Sequence, residues 1–123
     1  MNVHVKKLVK ITGVIEDVMR ELKSTGTVGM ENHDSLLECA RSLDDKVISN
    51  YAFENGLYLD FENPVNTAYL VIQQFHPNHF NNTFTEDQIL SYLAESREAV
   101  LSNAKKLNNM YKDLIAPVQE MAM

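Results

Sequence analysis

The sequence has one cysteine, Cys39, four glycines, three prolines, and 11 basic residues against 17 acidic ones. Each shortage excludes something. A single cysteine allows no intramolecular disulfide, so a disulfide-stapled secreted scaffold is ruled out. So little Gly and Pro, with 45% apolar and 23% charged residues, describes an ordinary globular chain. Disordered and low-complexity chains look different. Apolar runs are short: the longest, Ala68-Tyr69-Leu70-Val71-Ile72, falls far below the ~18 residues of a membrane span. The net charge of −6 argues against nucleic acid, whose phosphates are met mostly by Lys and Arg.

The early Lys6, Lys7 and Lys10 suggest a signal-peptide start. The apolar stretch behind them is brief and turns acidic at Glu16-Asp17, so none is expected. Asn81-Asn82-Thr83 matches a glycosylation triplet, a pattern common by chance. The expected location is the cytosol, or a host cytosol if a virus or mobile element encodes the protein.

Apolar residues recur at helical spacing almost throughout. Leu8, Ile11, Ile15, Val18 and Leu22 predict a first helix over residues 3–24, with Gly13 marking a close contact or slight bend. A second helix is expected from Asn32 or Asp34, with Leu36, Ala40, Leu43, Val47 and Tyr51 in one stripe and Gly56 as its left-handed cap. Residues 57–62 alternate with a period of two, giving a short extended segment. Asn63-Pro64 signals a third helix to about Phe75, ended by Pro77.

Thr85 and Gln88 fit a capping box opening a long last helix, about 85–116, which Pro117 should end or kink. From Leu90 through Leu93, Arg97, Val100, Ala104, Leu107, Tyr111, Leu114 and Val118 to Met121 its stripe alternates steps of three and four. Ala94, Leu101 and Ile115 widen that stripe where a two-stranded zipper would carry charge, so packing inside a bundle is expected. The fold class is therefore all-α: one domain, residues 1–123, with four main helices.

No motif carries recognisable chemistry. His76 and His79 share a loop with Pro77, but a metal site needs three or four convergent ligands, so no metal and no cofactor is expected. Cys39 sits beside Glu38, which disfavours the thiolate, and Gly26-Thr27-Val28-Gly29 lacks the lysine of a phosphate loop. No catalytic residues are assigned, and the chain is expected not to be an enzyme. Arg97 interrupts the last stripe. Its head reaches solvent or an acid such as Glu16 or Asp17, or else it anchors an anionic ligand.

Charge is concentrated instead. Residues 31–62 carry eight acids against Arg41 and Lys46, matching the whole net deficit, with Tyr51, Phe53, Tyr58 and Phe61 interleaved. Acids steer encounter with a basic protein and aromatic rings supply buried area. The expected contact surface is Asp44, Asp45, Glu54, Tyr58, Asp60, Phe61 and Glu62. The function expected is non-catalytic binding of a basic partner protein, as inhibitors, immunity proteins, counter-defence proteins and chaperones do. The alternative is a homodimer or ligand-binding bundle using the last helix and Arg97.

Overall fold

The chain begins its first helix, α1 (Val3–Thr25), at Asn2, whose side chain accepts the His4 backbone N–H at 2.8 Å. It leaves the helix at Gly26, where φ is 77° and the N–H returns to the Leu22 carbonyl. Such a left-handed exit suits glycine, which has no Cβ to clash. The computed structural model describes residues 2–43, 46–77 and 83–122, with side chains up to Lys112. Val5, Leu8, Ile11, Ile15, Val18 and Leu22 are all buried, as the stripe predicts. Gly13 makes no close contact: a Cβ built there would meet open space, so the expected tight approach is absent.

The expected second helix is two helices, α2 (Met30–Arg41) and α3 (Val47–Glu54). Lys46, at φ 56°, is left-handed and resets the helical phase between them. Leu36, Ala40 and Leu43 are buried as expected, yet Val47 and Tyr51 turn outward while Ile48 and Ala52 enter the core. α2 also starts earlier than expected, at Met30. The Gly29 N–H at its threshold is taken by the Glu21 carboxylate of α1 rather than by a capping side chain at Asn32 or Asp34.

Gly56 closes α3 with φ 81°, its N–H reaching the Phe53 carbonyl while Leu57 N–H reaches Ala52. These two bonds satisfy carbonyls that the helix end would leave open. The segment to Phe61 alternates as predicted, with Leu59 and Phe61 buried and Tyr58 and Asp60 exposed. It pairs with no strand, and none exists among the described residues. The Asn103 side chain instead satisfies the Asp60 backbone. Helix α4 (Glu62–Val71) then carries Val65, Ala68 and Val71 inward, and a 3-10 turn follows at Gln73–Phe75.

The reciprocal Thr85–Gln88 cap forms as expected and opens α5 (Glu86–Ala122). α5 runs past Pro117, whose missing N–H removes one bond of the ladder while its neighbours keep helical backbone. α5 packs on both α1 and α4, and α2 packs on α1 and α4. Its buried positions are Ile89, Leu93, Ser96, Val100, Asn103, Ala104 and Leu107. Leu93, Val100, Ala104 and Leu107 are buried as predicted, but Ile89 and Ser96 lie inside where Leu90 and Arg97 were expected, so the buried face is rotated slightly from the predicted stripe. The fold is thus an all-α bundle of five helices among the described residues, not four.

Candidate functional site: an aromatic and acidic edge

Two rings stand clear of the bundle on either side of the Gly56 turn. Phe53, at the end of α3, is 72% exposed, and Tyr58, just after the turn, is 74% exposed. Glu54 and Asp60 are exposed beside them in the chain. Leu59 and Phe61 hold the strap to the core from beneath, and Asn103 fixes its backbone. The rings therefore project from a backbone tied down at both ends.

The predicted surface is only partly assembled here. Phe61 is 1% exposed and is a core residue, so its ring is unavailable to a partner. The alternation explains this, because residues 57, 59 and 61 share the inward face of the strap. Glu62 is half-buried and accepts a hydrogen bond from the Ser49 hydroxyl at 3.1 Å. Asp44 and Asp45 lie outside the described residues. Phe53 was not among the predicted contact residues. The expected stripe through Val47 and Tyr51 turns residue 53 outward, about 200° round the helix from Tyr51, and the observed buried pair Ile48 and Ala52 leaves it outward too.

A second aromatic group lies where α1 begins. Tyr51 stacks on Tyr111 with ring centres 5.8 Å apart, and His4 lies 6.2 Å from Tyr51. Burial, followed by the neighbouring Tyr51 hydroxyl, raises the Tyr111 phenol above its ordinary pKa. The start of α1 is thereby brought towards residue 111, so α1 and α5 run antiparallel. Lys6, Lys7 and Lys10 line a groove of about 560 Å³ with Val3 and Val47 at this end. The Lys7 ammonium donates to the Ser42 carbonyl at 2.7 Å.

Cys39 is half-buried in an adjoining cleft between α1 and α2. Burial raises its thiol pKa, Lys10 opposes the shift and Glu38 adds to it. The thiol is thus held away from its nucleophilic form, in line with the expectation from Glu38.

Arg97 reaches neither Glu16 nor Asp17. Its guanidinium lies 3.6 Å from the Glu98 carboxylate next to it, while Asp17 pairs with Arg20 at 3.0 Å. Arg97 sits at the edge of the buried face of α5, with about a third of its side chain exposed.

The histidines hold the least expected arrangement. His33, remote from His76 in sequence, is 2% exposed, with its ring centre 5.2 Å from that of His76 and 5.2 Å from that of Tyr69. Neither His33 ring nitrogen has a hydrogen-bond partner, and a buried polar group in that state costs about 1–3 kcal/mol. His76 is half-buried, not a fully exposed loop residue, and His79 lies outside the described residues. Among the described residues, no group of three or more His, Cys, Asp or Glu is placed to hold a metal ion. No described helix is long and apolar enough to cross a membrane.

Compared with protein-family models, with curated proteins and with solved structures, the chain matches none.

Proposed function

We propose that the protein works by binding a partner protein with a basic surface, through the edge that carries Phe53, Glu54, Tyr58 and Asp60. The observation behind this reading is the pair of rings, 72% and 74% exposed, on a backbone fixed by the Gly56 turn and the Asn103 bracket. An aromatic side chain offers 150–250 Å² of contact area in general, and two exposed rings flanking one turn supply the aromatic anchors on which binding energy concentrates. Because the strap is already ordered, little entropy is lost when it docks. Glu54 and Asp60 add negative charge around the rings, which speeds encounter with a basic surface and rejects acidic ones.

The mode of action in this reading is steric occlusion, the mode of small inhibitors, immunity proteins, counter-defence proteins and chaperones. It needs no cofactor and no catalytic group. The test is affinity capture from the native host, comparing the parent protein with a Phe53→Ala/Tyr58→Ala variant whose helicity is unchanged. A partner held by the parent and lost by the variant supports the proposal. Equal capture by both removes this edge as the binding surface.

A further inference from the structure

Three lysines gather in one groove of a chain whose net charge is −6. Lys6, Lys7 and Lys10, on the first turns of α1, form one wall, and Val47 and Ile48 of α3 form the other. We propose that this groove receives an acidic, extended segment of a partner polypeptide, independently of the edge at Phe53 and Tyr58.

Charge complementarity is the first support. Among the described residues no ion pair involves a lysine, and the Lys7 ammonium is held by the neutral Ser42 carbonyl. The helices α1 and α3 begin at Val3 and Val47, both of which line the groove, so two helix N-termini add partial positive charge to that of the lysines. The cleft beside Cys39 adjoins the groove and shares Lys7 and Lys10 with it. Glu38 is the one acid among the described residues that line either. The positive field reaches into this cleft: burial raises the Cys39 thiol pKa, while Lys10 and, more weakly, Lys7 act against it.

Shape is the second support. Groove and cleft together follow α1 from Val3 to Val14. That is roughly 16 Å of helix, the span of about five residues of extended chain. Val3 and Val47 are exposed at the rim, and Ile11 and Ile48 are buried beneath. Side chains of an extended segment alternate, so carboxylates can face the α1 wall while apolar groups face the α3 wall. Nucleic acid offers phosphates but no aliphatic side chains for such a wall, and a bilayer is flat where this surface is concave.

The experiment is fluorescence anisotropy of the full-length chain with a labelled Glu-Leu-Glu-Leu-Glu peptide, beside labelled Gln-Leu-Gln-Leu-Gln. The acidic peptide should bind at least tenfold more tightly than the neutral one, and less tightly as salt rises. Lys6→Glu with Lys10→Glu should weaken it at least tenfold. Lys105→Glu with Lys106→Glu makes the same charge change on α5 and should alter binding less than twofold. All four lysines are exposed, and circular dichroism checks that helicity is kept. No binding of the acidic peptide, equal binding of the neutral one, or equal loss from the two lysine pairs overturns the proposal. So does displacement of the labelled peptide by oligothymidylate or phosphatidylglycerol vesicles at lower concentration than by unlabelled peptide, which would assign the lysines to nucleic acid or to lipid.

Discussion

The side-chain amide of Asn103 brackets the backbone of Asp60. Its Oδ1 accepts the Asp60 N–H at 3.1 Å and its Nδ2 donates to the Asp60 carbonyl at 2.9 Å. The second Nδ2 hydrogen goes to the Ala99 carbonyl one turn back on α5, at 2.7 Å. One buried side chain thus supplies the two backbone bonds that a neighbouring strand would otherwise make.

That geometry separates the two residues experimentally. Asn103→Ala leaves both Asp60 backbone groups without their partner and should lower unfolding free energy by about 2 kcal/mol in urea denaturation. Asp60→Ala keeps every one of those bonds, because only its main chain is used, and should change stability by less than about 0.5 kcal/mol. Equal losses from both substitutions would contradict the bracket.

The glycines give a prediction of opposite signs. A Cβ at Gly13 meets nothing within 4 Å, and the residue lies inside a helix, so Gly13→Ala should stabilise the protein by about 0.5–1 kcal/mol. Gly56 holds φ at 81°, where an added Cβ strains the backbone whatever space surrounds it. Gly56→Ala should therefore destabilise by about 1–2 kcal/mol. Thermal unfolding of the two variants decides the signs.

Most of the architecture was legible because local signals agreed with the final packing. The stripe from Leu8 to Leu22, the Thr85–Gln88 cap and the Gly56 exit each depend on residues near in sequence, and all are present. The split between α2 and α3 was not legible. Lys46 at φ 56° is a conformation that lysine seldom adopts, and no glycine or proline marks it. Missing that break put Val47 and Tyr51 on the inward face in place of Ile48 and Ala52. The candidate site was legible in its composition of aromatic and acidic residues, but not in which ring faces out. The same period-two pattern that exposes Tyr58 buries Phe61, and a sequence alone does not say which face meets the core. His33 and His76 were invisible for a simpler reason: tertiary packing alone brings them together.

Cys39 links pH to stability with a defined sign. Burial raises the folded thiol pKa above its ordinary value, so the unfolded chain loses this proton first. Its contribution is complete below the unfolded value, about 8.5, and declines as pH rises through the folded one. Unfolding free energy measured from pH 7.5 to 9.5 should fall with pH, and Cys39→Ala should flatten that fall. The thiol of the folded protein should also react with a disulfide reagent at pH 8 more slowly than the urea-unfolded chain does. Faster reaction in the folded state would mean an activated thiol.

Phe61 and Tyr58, three positions apart, should behave as members of different classes. Phe61 is 1% exposed beneath the strap, and Phe61→Ala removes a large ring from a packed interior, a change that costs about 3–5 kcal/mol. Tyr58 is 74% exposed, so Tyr58→Ala removes little buried area and should leave stability within about 0.5 kcal/mol. Partner capture should show the reverse for variants that remain folded. Phe61→Leu keeps most of the core volume and should retain binding, whereas Tyr58→Ala should lose it. Capture that tracks stability instead, lost with Phe61→Leu and kept with Tyr58→Ala, would assign the strap to folding alone and move the search for the partner surface to the lysine-lined groove beside Val3 and Val47.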